Sequence, residues 1–275
     1  MDALAGKVAA VTGAASGLGR AMALAFADES MGVALADVDV DGLKETEAAV
    51  RAKGVRTLAL RVDVAKSAEV EAFAEETGRA LGGASLVCNN AGVALSGPLW
   101  EHSEAEWQWL LGANLWGVIH GVRAFVPRLL AQGEGHVVNT ASVAGLLSPP
   151  GMGAYAASKH AVVALSEALQ HDLRERGSRV GVSVLCPAYV PTRIADAAPP
   201  PAASKSPARL AQEARLRHAV AAGKLSADEV ARAVLTAVKE NRFYILTHPA
   251  ILGAVRARME DVLDARAPRD PLRLR

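Results

Sequence analysis

The run Lys7-Val8-Ala9-Ala10-Val11-Thr12 passes directly into Gly13-Ala14-Ala15-Ser16-Gly17-Leu18-Gly19, and Arg20 to Ser30 then has helical character. Lys7 to Thr12 is short, apolar and without alternation, the pattern of a strand covered on both faces. Glycines after such a strand admit positive φ, let backbone amides approach a pyrophosphate and let the next helix lie close to the sheet. The helix start adds unpaired N–H groups and the positive end of its dipole. The spacing is G-x-x-x-G-x-G rather than G-x-G-x-x-G, but the order strand, turn, helix is what gives a glycine motif meaning. Gly13, Ser16, Gly17, Leu18 and Gly19 are therefore the expected phosphate cradle.

The next strand, Gly32 to Ala36, ends at Asp37. An acid about 20 residues beyond the glycine turn can accept hydrogen bonds from the adenosine ribose hydroxyls. It would also repel the extra phosphate of NADP, and with Val38 and Ser16 nearby no cation offsets that repulsion. NAD is the expected cofactor and NADP the disfavoured one.

Farther along, helical patterning covers Asp41 to Lys53, Ser67 to Leu81 (with Ser67 placed to cap), Glu104 to Leu130, Leu210 to Ala222, Ser226 to Lys239 and Ala250 to Ala265. Strand patterning covers Val55 to Val62, Ala84 to Cys88, His136 to Ala141, Arg179 to Cys186 and Phe243 to Leu246. Alternation of this kind, with no internal repeat, builds one parallel sheet between two helical layers. The expected fold class is α/β: a Rossmann-type doubly wound sheet of about seven strands, in a single domain over residues 1–275. From Ile194 to Pro207 the residues are small, proline-rich and aperiodic. A mobile loop within a lid over about 193–222 is expected there. Residues 248–275 read as a C-terminal extension whose basic tail, Arg266 to Arg275, is expected to be frayed and solvated.

Ser148 to Gly177 carries the second decisive signal. Ala154, Ala161, Leu165, Ala168 and Leu169 recur near a helical period, Arg174 and Arg176 suit the negative helix end, and Gly177 supplies a stop. Tyr155 and Lys159 then share one face. A tyrosine ordinarily titrates near ~10, too high to shuttle protons efficiently at neutral pH. A neighbouring ammonium would favour the phenolate, at roughly 1.4 kcal/mol per unit of lowering.

Composition narrows the class. Hydrophobic residues make up 51% and charged ones 21%, enough for a sizeable core, which scarce aromatics (4%) leave to Ala, Val and Leu. The tryptophans Trp107, Trp109 and Trp116 are expected in the core or at subunit contacts. A net charge of +1 argues against nucleic acid or an anionic membrane as partner. Cys88 and Cys186 are too few for a disulfide framework or metal cluster and are expected to be buried, inert thiols. No signal sequence and no apolar run of about 18 residues is present, so a cytoplasmic protein is expected.

Four separated motifs, Thr12-Gly13-x-x-x-Gly17-x-Gly19, Asn89-Asn90-Ala91-Gly92, Ser142 and Tyr155-x-x-x-Lys159, resemble in order and spacing those of the short-chain dehydrogenase/reductase family. The resemblance covers roughly residues 5–193. It implies that Tyr155 is the catalytic acid/base, that Lys159 lowers its pKa and holds the nicotinamide ribose, and that Ser142 polarises the substrate oxygen. It implies further that Asn114 keeps a water in the proton relay, that Asp63 and Val64 contact adenine, and that Asn90, with Ala91 and Gly92, lies near the cofactor ribose. Thr192, with the backbone near Pro187 and Val190, would anchor the carboxamide. Ala188 departs from the family's Pro-Gly turn, and the Asp-Gly-Gly ending common in its tetramers is absent. A homodimer through the Glu104–Leu130 and Tyr155–Gly177 helices, or a homotetramer, is expected.

The activity implied is hydride transfer between NAD and a secondary alcohol or ketone. Leu95, Ser96, Ser142, Leu147, Met152, Tyr189 and Ile194 are the expected substrate pocket. They are largely apolar and offer no cationic clamp, which favours a hydrophobic alcohol of alicyclic, terpenoid or steroid-like type. Two rivals stand beside this reading. An NADPH-dependent carbonyl reductase would bind NADPH more tightly than NADH. A non-catalytic dinucleotide sensor would have no need of the Ser142, Tyr155 and Lys159 set.

Overall fold

All five residues of the strand β1 (Val8–Thr12) are buried, and alternate ones point into different cores. Ala9 and Val11 join one apolar cluster, Val8 and Ala10 another, so the strand has to be covered on both faces. The computed structural model describes Met1 and residues 3–200 and 205–273. In it β1 is an interior strand of a seven-stranded sheet, between β2 (Gly32–Asp37) and β4 (Leu86–Asn89).

In chain order β1 is followed by α1 (Gly17–Asp28), β2 (Gly32–Asp37), α2 (Val40–Arg51), β3 (Thr57–Arg61), α3 (Ser67–Leu81) and β4 (Leu86–Asn89). Then come α4 (Glu104–Leu111), α5 (Gly117–Gln132), β5 (Gly135–Thr140), α6 (Gly153–Glu175) and β6 (Val180–Leu185). The chain ends with α7 (Pro207–Ala221), α8 (Ala227–Lys239), β7 (Tyr244–Ile245) and α9 (Leu252–Leu263). The sheet order is β3-β2-β1-β4-β5-β6-β7 and every pairing is parallel. This is the doubly wound α/β fold that the alternation implies. Helices α1, α2 and α8 cover one face, and α3, α5 and the end of α6 the other. The strand order reverses between β1 and β4, which opens a crevice at the carboxyl edge. Close packing of α1 on β1 depends on Gly19, where a Cβ would stand 2.0 Å from the Gly13 carbonyl oxygen. No helix among the described residues is long and apolar enough to cross a membrane.

Several local expectations change. Glu104 to Leu130 is not one regular helix: a π-helical turn, Gly112–Trp116, separates α4 from α5. Such a turn takes in one extra residue and steps the apolar stripe round the helix, a change of phase that a reading at constant period passes over. Ser67 is not the cap of α3; Lys66 precedes it without a side-chain cap, and the Glu69 carboxylate takes the Asp63 N–H at 2.8 Å instead. The basic tail, as far as Arg273, is not frayed, since Arg266 and Arg269 fold back onto Asp261; residues 274–275 lie outside the described residues. Within the expected lid, residues 201–204 also lie outside them. The remainder holds a 3-10 turn, Arg193–Ala195, and α7, which begins earlier than its periodicity suggests because Ser206 caps it and Pro207 starts it. Both cysteines are buried as expected, and burial holds the Cys186 thiol up at about 12.

Helix α7 is fixed to α4 by a fully buried ion pair. The Arg209 guanidinium meets both Glu106 carboxylate oxygens and the Glu101 carbonyl, and both side chains are entirely out of solvent. Glu106 also closes the capping box with Ser103 at the start of α4. Removing Arg209 strands the Glu106 carboxylate in the interior, which costs more than the pair itself contributes, whereas Arg209 without Glu106 would still hold Glu213 at 3.2 Å. Arg209→Met is expected to lower unfolding free energy by about 3–5 kcal/mol, whereas the double change Glu106→Leu with Arg209→Met recovers most of it. Urea unfolding of the three proteins checks this.

Candidate active site

Three strand ends are joined at the crevice. Thr12 Oγ1, at the end of β1, accepts from the N–H groups of Asn90 (2.9 Å) and Ala91 (3.1 Å), just after β4. Asn90 Nδ2 donates back to the Thr12 carbonyl at 3.0 Å, and Thr140 Oγ1 of β5 donates to Asn90 Oδ1 at 3.2 Å. Beyond this clasp a cavity of about 1010 Å³ runs along the carboxyl edge.

One end of the cavity has the shape and donors for a dinucleotide. Gly13 turns the chain at a φ of 67°, and a Cβ there would lie 2.8 Å from Ala91 Cα, so only hydrogen leaves the floor open. Ser16, Gly17 and Leu18 line the cavity where α1 begins, and that helix start has neither a side-chain cap nor an acid in its first turn. Its N–H groups and dipole are left for an anion. Asp37 and Val38 lie farther out, with Asp63 and Val64 across from them. Asp37 Oδ2 accepts from Ala15 N–H (2.9 Å) and Oδ1 from Asp39 N–H (3.0 Å), which leaves lone pairs on both oxygens for a diol. Asn90, Ala91 and Gly92 form the middle of the wall, and Pro187, Val190 and Thr192 the opposite one.

At the other end Ser142, Tyr155 and Lys159 all reach the same cavity. Ser142 closes β5 and is held by Oγ, which donates to the Pro187 carbonyl (3.3 Å) and accepts from Ala144 N–H (3.1 Å). Tyr155 and Lys159 are one turn apart on α6, 8% and 2% exposed. Lys159 Nζ donates to the Thr140 carbonyl at 2.9 Å and sits 5.8 Å from the centre of the Tyr155 ring. Leu147, Met152, Tyr189 and Ile194 complete the walls here, as the sequence suggests.

Four expected site residues are not cavity residues. Gly19 serves helix packing rather than phosphate contact, being behind the turn. Leu95 is buried in a cluster with Leu110 and Ala154, and Ser96 is buried behind the wall, where Val93 and Ala94 face the cavity instead. Asn114 is wholly buried in the π turn: its Oδ1 accepts from Val93 N–H (2.8 Å) and its Nδ2 donates to the Val93 carbonyl and to Ser158 Oγ, both at 3.0 Å. Its side chain therefore fixes the strand-end loop against α6. Sequence reasoning missed Gln108 and Trp109 of α4, Leu216 of α7, and Ala254, Pro271 and Leu272 near the C-terminus. Only Trp109 had a signal, a large aromatic off the regular helical stripe.

Comparison with known proteins places the chain. The family model described as short chain dehydrogenase matches residues 7–202. A 1-deoxy-11-beta-hydroxypentalenate dehydrogenase of Streptomyces exfoliatus is 37% identical over 259 residues, 93% of this chain and 88% of the relative. A CLA biosynthesis dehydrogenase/reductase of Lactiplantibacillus plantarum is 33% identical, covering 95% of each chain. The crystal structure of a short chain dehydrogenase/reductase from Burkholderia phymatum in complex with NAD is 51% identical, with a TM-score of 0.97 and full coverage of both chains.

Electrostatics at the Tyr155–Lys159 pair run opposite to the sequence expectation. Burial pushes the phenol up to about 12, against a hydrogen bond from Ser142 that pulls the other way. Burial also brings the Lys159 ammonium down to about 8. Spacing along a helix does not report desolvation, and here burial is the largest influence on both groups. Below pH 8 the ammonium is charged in both folded and unfolded chains, and burying it opposes folding by on the order of 3 kcal/mol. That penalty fades as pH rises from about 8 towards the unfolded value of 10.5. Lys159→Met is therefore expected to raise the melting temperature at pH 7, with the gain shrinking towards pH 10, in thermal scans across that range.

Proposed function

The chain belongs to the short-chain dehydrogenase family of oxidoreductases, and on that premise we propose that it is an NAD-dependent dehydrogenase of hydrophobic secondary alcohols, or reductase of the matching ketones. The observation that carries the reading is the convergence of Ser142, Tyr155 and Lys159 on one cavity whose far end holds the glycine turn and Asp37. NAD, when bound, supplies or accepts the hydride. The Asp37 carboxylate receives the adenosine ribose hydroxyls and disfavours a 2′-phosphate by repulsion. The NAD complex of the Burkholderia phymatum protein supports the same choice of cofactor.

At the reacting end Ser142 Oγ holds the substrate oxygen, and Tyr155 Oη exchanges the proton with it. A phenol kept protonated by burial is in the form that donates to a carbonyl oxygen at neutral pH. In the opposite direction the same hydroxyl must first lose its proton, and charged Lys159 stabilises the phenolate. Lys159 Nζ, already anchored by Thr140, presents its remaining hydrogens to the nicotinamide ribose. Asn114 acts one layer back, by fixing the Val93 loop against α6.

The walls at this end, Trp109, Leu147, Met152, Ile194 and Leu216, favour an alicyclic or terpenoid-like alcohol over a small hydroxy acid. A relative named for a hydroxypentalenate supports that preference. The 193–222 segment, which contributes Ile194 and Leu216, is the lid. A cytoplasmic homo-oligomer pairing through α4, α5 and α6 accompanies the reading, and the half-exposed Trp116 between α4 and α5 supports it.

Tyr155→Phe is expected to reduce kcat by about 10³-fold or more while leaving the NADH dissociation constant within twofold; unchanged turnover would reject the mechanism. Steady-state assays with cyclic secondary alcohols, paired with fluorescence titration of NADH, measure both. Asp37→Ser is expected to weaken NADH binding about tenfold and improve NADPH binding, read from the same titrations.

A further inference from the structure

After α9 the chain does not leave the molecule. Ala265 adopts a left-handed φ of 52°, and Arg266 N–H returns to the Asp261 carbonyl at 2.8 Å, so the backbone reverses on the helix it has just completed. The reversal is tied at one point. Asp261 is only 4% exposed, and both its carboxylate oxygens accept from Arg269 Nε, at 2.9 and 3.0 Å. Oδ2 accepts in addition from the Arg269 backbone N–H at 3.1 Å. Arg269 Nη2 donates to the Ala257 carbonyl at 2.7 Å and to Glu260 at 3.3 Å. A carboxylate withdrawn from water needs such donors, and an arginine fork held by helix carbonyl and carboxylate together has one orientation.

What the knot holds is a wall. Arg269, Pro271 and Leu272 line the large cavity together with Ala254 and Ala257 of α9. The wall stands at the reacting end: the Asp37 and Asp63 region belongs to β2 and β3, whereas α9 follows β7, beside β6, on the other side of the sheet. His248, just before α9, accepts the Ala188 N–H at 3.2 Å and so joins this segment to the loop carrying Tyr189. Leu272 keeps 66% of its surface uncovered at the cavity mouth, apolar area that a bulky ligand would cover.

We propose that the turn 264–272, locked by Arg269 on the buried carboxylate of Asp261, is the outer wall of the alcohol and ketone site and determines how large an apolar substrate that site holds. The proposal rests on the assignment of this end of the cavity to the alcohol. Arg269 and Asp261 are positioning residues: a small alcohol reacts at Ser142 and Tyr155 without reaching the wall, and a fused-ring alcohol extends to it. Net affinity for the larger substrate then depends on Pro271 and Leu272 staying in place, which a loosened turn does not ensure.

The test uses the full chain, its Arg269→Gln, Arg269→Lys and Asp261→Asn variants, and two alcohols with NAD, 2-butanol and decahydro-2-naphthol. Arg269→Gln and Asp261→Asn are expected to speed amide hydrogen exchange in 264–272 and raise KM for decahydro-2-naphthol about tenfold. KM for 2-butanol, kcat and the NADH dissociation constant stay within about twofold, and Arg269→Lys falls between. Faster exchange with no selective change in KM would remove the wall from the proposal, and unchanged exchange would remove the latch. Should the unaltered chain oxidise neither alcohol, the activity reading fails by itself. The wall is then decided by binding: with NADH present, decahydro-2-naphthalenone slows exchange of 264–272 in the unaltered chain and not in Arg269→Gln, and an absence of slowing overturns it.

Discussion

A single side-chain amide holds the site open. Asn90 touches three strand ends at once, through its own N–H to Thr12 Oγ1, its Nδ2 to the Thr12 carbonyl and its Oδ1 from Thr140. These strands, β1, β4 and β5, are where the sheet changes its direction of growth, and the clasp carries their alignment past the last ladder pairs, Val11 with Cys88 and Asn89 with Asn139. The same Thr140 offers its carbonyl to Lys159, so the position of that ammonium descends from the clasp by two hydrogen bonds. Buried polar networks of this kind fix geometry when every member is satisfied. Thr12, Asn90 and Thr140 meet that condition, and Lys159, with one of its three hydrogens placed, ends the path that leads from the glycine turn.

Around this rigid edge the cavity is completed by parts of different character. The strand ends and α6 are packed into the core, whereas α7 and the C-terminal turn are attached through ion pairs, Arg209 with Glu106 and Arg269 with Asp261. Ser142, Tyr155 and Lys159 thus stand on the sheet edge and α6, and part of the cavity wall on peripheral segments held by ion pairs. A division of this kind lets one scaffold accept many substrates, because the walls can change without disturbing the reacting groups.

The fold was legible because parallel strands covered on both faces have to be apolar throughout, and β1, β2 and β6 read that way. The meeting of Ser142, Tyr155 and Lys159 at one cavity was legible because it depends on short-range spacing that survives in one dimension. Three kinds of feature were not. Desolvation at Tyr155 is set by how tightly α6 packs, which no local pattern reports. The π turn at Asn114 shifts the phase of the helical pattern within a single turn, without a proline to mark it. The tail around Arg269 has the composition of a solvated end, and only the buried Asp261 beneath it shows why it folds back. Leu95 and Ser96 failed for a related reason: residues adjacent in sequence to a wall alternate between facing it and lying behind it.

The two thiols have a use that the chemistry of the site does not suggest. Cys88 lies within the buried strand β4 and Cys186 directly follows β6, so they flank β5 on its two sides. Burial raises both thiols well above their ordinary range, which leaves almost no thiolate to react while the strands stay paired. Alkylating reagents would therefore mark a molecule only when its middle strands part, and the chain carries within itself a pair of natural reporters for the rarest opening of its own framework.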